Sequence, residues 1–183
     1  MRNSNFHFIG NAVLRNNLDE TFNHIVVLLA FVESTTYGEE AKSAFRKTII
    51  IHTASIVEAL LFYLMDKRFN NSAVSKYYTK WALRNYKEIY KINEKHLVVA
   101  GEYTKEASKL KKEKMNLGQI ANFLRDKKVI DDSLYEIIDE IRLLRNEQHI
   151  GTQKTIKRYS KKELDRAFYI AGKTKEFVNS AIV

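Results

Sequence analysis

Hydrophobic residues recur at helical spacing along most of the chain, and clusters of polar residues separate them into segments. The first segment predicts a helix over about 17–34, with Asn16 or Asn17 in a position to cap its N-terminus. The second segment predicts a longer helix over roughly 39–69, in which residues 48–65 are apolar on nearly every side. Such a helix is typical of the centre of a bundle, because its neighbours cover all of its faces.

The middle of the chain combines aromatic residues with short β-forming segments. The aromatic spacing favours a third helix from Ser72 to about Tyr86. Packing in the core or in a dimer interface explains these aromatic residues better than stacking on bases does. They are Tyr77, Tyr78, Trp81, Tyr86 and Tyr90. Two β-rich segments separated by NEKH follow, and they predict a hairpin or an irregular excursion near 88–103.

The last third of the chain predicts three more helical segments. Asn116 is in a position to cap the first, and Asp131 or Asp132 can cap the second. The second is expected to stop at Gly151, because glycine is the usual residue after a helix C-terminus. The final helix begins at Ser160 with a capping-box sequence and runs to the C-terminus.

Composition supports the helical interpretation. The 183 residues include no proline and only six glycines, and these are the residues that interrupt helices. We therefore predict an all-α bundle of about five principal helices, with a small irregular or hairpin insertion, as a single domain over residues 1–183. The chain has no cysteine, which excludes a disulfide scaffold and a thiolate nucleophile and fits a reducing compartment.

Charge indicates the class of partner. Lysine and arginine number 31 against 22 aspartate and glutamate, a net charge of +9, which favours polyanions such as nucleic acid. The apolar stretch 48–65 includes His52 and Glu58, so we expect no membrane span. No export signal begins the chain, and we expect a cytoplasmic location. No set of residues has metal-ligand spacing and no glycine-rich phosphate loop occurs, so we expect neither a metal nor another cofactor.

The most informative cluster lies near the end of the helix that is expected to stop at Gly151. At about 100° per residue, Arg142, Arg145, Asn146 and His149 fall on one strip beside the apolar face. A histidine titrates near pH ~6.5 and suits proton transfer, while arginine presents a fixed fork to phosphate oxygens. The same residues also fit an ordinary helix C-terminus, where basic groups interact with the helix dipole.

This chemistry leads to a hypothesis of RNA cleavage without a metal. The RNA 2′-hydroxyl would attack the adjacent phosphorus, His149 would transfer a proton, and Arg142 or Arg145 would stabilise the phosphorane. Asn146 could orient the imidazole or the ribose. Glu58 lies in the apolar sequence VEALLFYLM; either it pairs with Arg142 or Arg145 and aims the guanidinium, or it reaches solvent at the edge of its helix.

A basic run follows the cluster. Phosphate contacts provide much of the affinity for nucleic acid, and a tyrosine within the run could stack on an unpaired base. The alternative is a solvated start of the last helix. The run consists of Lys154, Lys157, Arg158, Tyr159, Lys161 and Lys162.

The cluster, together with the preceding sequence NFLRDKKVIDDSLYEIIDEIRLLRN, resembles the HEPN (higher eukaryote and prokaryote nucleotide-binding) superfamily. The resemblance is clearest over 115–151 and looser over the second helix. HEPN proteins are helical bundles, and many are metal-independent endoribonucleases with a signature of Arg, four to six residues, then His. Arg142 has that spacing to His149, whereas Arg145 is closer but is followed by the polar Asn146. Both arginines remain candidates.

The resemblance implies a function and a set of partners. It implies a metal-independent endoribonuclease acting on RNA, with a toxin or phage-defence role and an antitoxin protein as a partner. It also implies a homodimer in which two copies of the motif face each other. The alternative is a noncatalytic HEPN-like module that binds nucleic acid, a nucleotide or a protein partner.

Overall fold

The computed structural model describes residues 4–147 and 157–182. These residues form six α-helices, a short 3₁₀ helix at Lys112–Lys114 and one two-stranded antiparallel sheet. The helices are α1 (Ala12–Glu33), α2 (Glu39–Arg68), α3 (Asn71–Tyr77), α4 (Leu117–Asp126), α5 (Asp132–Asn146) and α6 (Lys161–Ile182). The strands are β1 (Thr79–Asn93) and β2 (His96–Ala107). The described chain is therefore mostly helical, with a substantial hairpin, and not a purely α-helical bundle of five helices.

Residue contacts divide the chain into two compact units. The helical unit comprises the described residues of 1–68 and 116–183, and the hairpin unit comprises 69–115. The helical unit contains α1, α2, α4, α5 and α6, while α3 and both strands belong to the hairpin unit.

Helix α2 is the centre of the helical unit, as its apolar sequence predicts. It packs against α1, α4, α5 and α6, and residues such as Ile50, Leu60 and Leu64 are completely buried. By length and composition α2 could cross a membrane, but 61% of its most apolar window is buried inside the protein. That burial is the pattern of a core helix, in which neighbouring helices cover the apolar surface.

Capping residues set most of the helix boundaries. Asn116 and Gln119 form a reciprocal capping box at α4, and Asp131 accepts a hydrogen bond of 2.7 Å from the Leu134 amide at α5. The capping box predicted at Ser160 is confirmed. Helix α5 ends at Asn146 and not at Gly151. These caps are local interactions, so the sequence alone located most of them.

The start of α1 was predicted wrongly. Asn11 caps the helix by accepting a hydrogen bond from the Leu14 amide at 3.1 Å, several residues before Asn16 or Asn17. Val13 in this first turn is 71% exposed. Because the turn buries little apolar surface, it adds no hydrophobic periodicity from which the boundary could be predicted.

The hairpin is longer than the sequence predicts. Residues from Thr79 onward, which were assigned to a third helix reaching Tyr86, instead pair with β2, and α3 ends at Tyr77. Strand pairing links Thr79 to Ala107 across 28 positions of sequence, and a local pattern cannot detect a partner at that distance. Packing in the core is also wrong for Trp81, Tyr86 and Tyr90, which are exposed. The alternative of a dimer interface stays a prediction for them.

Candidate functional site

A cleft of about 520 Å³ opens in the helical unit where α2, the start of α4 and the end of α5 meet. Each helix contributes residues from one of its faces, because residues three, four or eleven positions apart share a face. The lining residues are Lys47, Ile51 and Glu58 of α2, Asn116, Leu117 and Gly118 at the start of α4, and Arg142, Arg145 and Asn146 of α5.

An ion pair joins α5 to α2 inside this cleft. Arg145 Nη1 donates to Glu58 Oε2 at 2.6 Å, and the two side chains are 38% and 25% exposed. A carboxylate on the apolar helix α2 needs a partner to offset its loss of hydration, and Arg145 is that partner. Of the two pairings that the sequence leaves open, the structure therefore has the one between Glu58 and Arg145.

Arg142 is bound by a residue of its own helix, α5. Its Nε donates to Asp139 Oδ1 at 2.5 Å, one turn earlier on α5. This hydrogen bond raises the pKa of Arg142 above its ordinary value, against the opposing effect of burial. The guanidinium therefore stays charged at the mouth of the cleft.

Gly118 also lines the cleft, and the sequence pattern did not predict it. A Cβ at this position would lie 2.9 Å from Arg142 Cδ, closer than side chains pack. The absent side chain leaves the space in which the stem of Arg142 crosses the first turn of α4. In the sequence, Gly118 is visible only as a glycine two positions after the cap Asn116, and that position does not reveal a contact with α5.

The cleft has the electrostatics of an anion site. Its lining carries three cationic side chains, Lys47, Arg142 and Arg145, and one carboxylate, Glu58. Within the described ranges Lys47 makes no ion pair, while Glu58 is already bound by Arg145. The first turn of α4 also faces the cleft, and amide groups at a helix start carry partial positive charge. Negative groups such as phosphate would be favoured there.

The structure brings together four of the predicted site residues. Arg142, Arg145 and Asn146 occupy the strip on α5 that the helical spacing indicates, and Glu58 faces them from α2. His149 lies outside the described residues, as does Lys154 of the basic run. The proton-transfer role assigned to His149 remains a prediction from the sequence.

The described residues of the basic run differ in their surroundings. Lys157 contacts Glu147 and lies 3.0 Å from Glu163, so acidic groups already surround its charge. Lys161 and Lys162 are exposed, as is Arg158. These three side chains lie in solvent at the start of α6, a position that fits both phosphate binding and simple exposure.

Tyr159 does not have the exposed position that base stacking requires. Its side chain is in the core, with only 2% of the residue exposed. Its amide donates to Ser43 Oγ at 2.8 Å, and its carbonyl accepts from Arg46 Nη1 at 3.1 Å. The prediction that Tyr159 stacks on a base is therefore wrong, because the segment before α6 is fastened to α2 and turns the ring inward.

The donor set of the cleft suits an anion and not a cation. Among the residues that the structure describes, no group of three or more His, Asp or Glu is placed to hold a metal ion. Divalent metals need several oxygen or imidazole ligands, and the one carboxylate here is bound to an arginine.

Comparison with known proteins gives no match, whether with protein-family models, with curated proteins or with solved structures.

Proposed function

We propose that this protein is a metal-independent endoribonuclease of the HEPN type and that the cleft between α2, α4 and α5 is its active site. The observation that carries the proposal is the ion pair between Arg145 and Glu58, which holds one guanidinium in a cationic cleft beside Arg142. Charge fixed in place before the substrate binds is what stabilises a developing oxyanion most effectively.

The reaction is an internal transesterification. The RNA 2′-oxygen forms a bond to the adjacent phosphorus, the bond from phosphorus to the 5′-oxygen breaks, and a 2′,3′-cyclic phosphate and a 5′-hydroxyl result. The 2′-hydroxyl loses one proton and the leaving oxygen gains one. His149 is assigned this proton transfer, because an imidazole accepts and returns protons near neutral pH.

The described residues bind and position the substrate. Arg145 and Arg142 contact the phosphoryl oxygens, on which charge increases as the phosphorane forms. Glu58 acts through Arg145 as a positioning residue, since it fixes the direction of the guanidinium from α2. Lys47 and the start of α4 bind the neighbouring phosphate, and the exposed Asn146 orients the ribose.

The resemblance to the HEPN superfamily extends the proposal beyond the site. It includes a homodimer, a cytoplasmic toxin or phage-defence role and an antitoxin partner. Size-exclusion chromatography with light scattering tests the dimer without reference to activity. A monomer at micromolar concentration would contradict this part of the proposal.

The test of the activity is cleavage of single-stranded RNA in excess EDTA. We expect the wild type to cleave and to yield cyclic-phosphate ends. We expect Arg145→Ala or Arg142→Ala to reduce the rate by about 10²–10³, the usual effect of removing one transition-state donor, and His149→Ala to reduce it at least as much. The matched control is Arg166→Ala, which removes an arginine that pairs with Glu140 away from the cleft.

Three outcomes would contradict the enzyme assignment. Cleavage that EDTA abolishes would indicate a metal enzyme, and cleavage of a 2′-deoxy substrate would exclude attack by the 2′-hydroxyl. Salt-sensitive RNA binding with no cleavage would favour the noncatalytic module, in which the same cleft only binds the phosphate.

A further inference from the structure

The two faces of the hairpin have different chemistry. Successive residues of β2 alternate between faces, so Gly101, Tyr103 and Lys105 share one of them. Pairing places Trp81 opposite Lys105 and Leu83 opposite Tyr103. We call this side the aromatic face; it consists of Trp81, Leu83, Tyr86, Leu97, Val99 and Tyr103.

Gly101 determines the position of Tyr86 on that face. A Cβ at Gly101 would lie 2.8 Å from Tyr86 Cβ and 2.9 Å from Leu83 Cδ1. Both side chains therefore close over the glycine from the side where its own side chain would stand. The pairing shifts by one residue at this point, and Asn85 adopts a φ of 48° there. This bulge turns Tyr86 onto the same face as Trp81 and Tyr103.

The three aromatic side chains are open to solvent. Trp81, Tyr86 and Tyr103 are 66%, 65% and 67% exposed, and none of the three rings contacts another aromatic ring of the described chain. Folding gains little from rings left in water, and clustered exposed apolar groups indicate a binding surface. Their roughly 7 Å spacing along the strands leaves room for a planar group beside each ring.

The opposite face includes two pairs of bonded polar side chains. Arg84 Nε donates to Glu106 Oε1 at 2.5 Å, and Asn85 Nδ2 reaches Glu102 Oε2 at 3.3 Å. Ion pairs across adjacent strands are the usual way in which a solvated sheet face is stabilised. Among the described residues, no ion pair joins the side chains of the aromatic face, so its rings are the surface that we assign to binding.

Charge selects the class of partner. The hairpin unit contains eleven Lys or Arg and five Glu, which gives it +6 of the chain's net +9 in about a quarter of its length. A second copy of this unit would bring two such charges together, which is unfavourable. A polyanion would be attracted, and the planar groups that aromatic rings recognise on a polyanion are nucleobases.

We propose that the aromatic face of the hairpin binds single-stranded nucleic acid, with bases stacked on Trp81, Tyr86 and Tyr103 and phosphates bound by lysines such as Lys105. The strand must be single, because a duplex buries the faces of its bases against one another. This binding does not require the cleft or cleavage, so it stands or falls separately from the proposed nuclease activity.

The chain's one tryptophan makes the proposal directly measurable. Trp81 is that tryptophan, so a base stacked on it quenches the intrinsic fluorescence. The probe is oligothymidylate of about ten nucleotides, which has no 2′-hydroxyl and cannot be cleaved by the proposed route. We expect saturable quenching by the single strand and much weaker quenching by a duplex of equal length.

Variants that retain Trp81 locate the surface. We expect Tyr86→Ala with Tyr103→Ala to raise the dissociation constant at least tenfold, because each stacked base contributes strongly to binding, and the two Phe substitutions to restore it. The matched control is Tyr90→Ala, which removes a 57% exposed ring that pairs with Val98 on the opposite face. Circular dichroism verifies that each variant retains the hairpin.

Several results would overturn the proposal. One is the absence of quenching by the single strand, and another is an unchanged affinity for the single strand after Tyr86 and Tyr103 are replaced. A third is quenching by polyglutamate as strong as that by the single strand, which would show that charge alone acts. A concentration-dependent oligomer that Trp81→Ala abolishes would identify the face as a contact between copies of the chain instead.

Discussion

Replacing Gly118 with alanine separates the geometry of the cleft from the stability of the fold. The new Cβ would lie 2.9 Å from Arg142 Cδ, whereas ordinary contacts begin at 3.4 Å. Arg142 must therefore retreat by about 0.5 Å or rotate out of the cleft. Its side chain is 31% exposed, so solvent is available to it and the fold need not change.

The two effects on stability oppose each other. Alanine favours a helix over glycine by up to about 1 kcal/mol. Displacing Arg142 weakens its bond to Asp139, which at this exposure contributes about 0.5–1 kcal/mol. We therefore expect the free energy of unfolding of Gly118→Ala to differ from that of the wild type by no more than roughly 0.5 kcal/mol. A misplaced guanidinium should nevertheless reduce RNA cleavage by about 10- to 100-fold.

Gly172→Ala is the matched control. Gly172 lies in α6, and nothing stands within 4 Å of a Cβ added there. We expect this variant to gain up to about 1 kcal/mol, or a Tm increase of roughly 2–4 °C for a chain of this size, with unchanged cleavage. Differential scanning fluorimetry and the cleavage assay in EDTA measure both quantities on the same samples. Equal activity of the two variants would refute the reasoning, since the position of Arg142 would then not matter.

Two further predictions concern ionised side chains. A double-mutant cycle on Glu58→Gln and Arg145→Gln should give a coupling free energy of about 0.5–1 kcal/mol in unfolding, and zero coupling would contradict the ion pair. Glu58→Gln should also slow cleavage, whereas the control Glu140→Gln, which breaks the pair with Arg166, should not. Burial raises the pKa of Glu163, but hydrogen bonds from Ser160 and Lys157 outweigh it and hold that pKa below 4.5. The stabilising contribution of the Glu163 carboxylate is therefore complete above pH 4.5 and disappears as the pH falls through the lowered pKa. Plotted against pH, the Tm values of the wild type and of Glu163→Gln should converge in acid. A Tm difference that stays constant down to pH ~2 would show that the carboxylate has no such role.

Much of the helical architecture follows from local sequence. Caps such as Asn116, Asp131 and Ser160 act within one helical turn, and the apolar circumference of α2 determines that it must be surrounded. The strip on α5 that carries Arg142, Arg145 and Asn146 follows from helical spacing alone. Each of these features depends on residues a few positions apart, which is the range over which a sequence pattern is informative.

Other features depend on partners that are distant in sequence. The segment from Thr79 forms a strand because residues near Ala107 pair with it, although its aromatic spacing also fits a helix. Tyr159 is buried because Ser43 and Arg46 bind its backbone across more than a hundred positions. A side chain's type fixes what it can bind, but only packing decides whether it faces core or solvent.

The sequence by itself determined a basic chain of mostly helical segments, with two arginines and an asparagine on one strip of α5. Tertiary structure decided that Glu58 binds Arg145, that Gly118 makes room for Arg142, and that three rings of the hairpin share an exposed face. The physical reason is the distance along the chain over which each interaction acts. Helix propensity and capping act between neighbours in the chain, whereas a cleft or a paired sheet is built from contacts between segments that meet only when the chain folds.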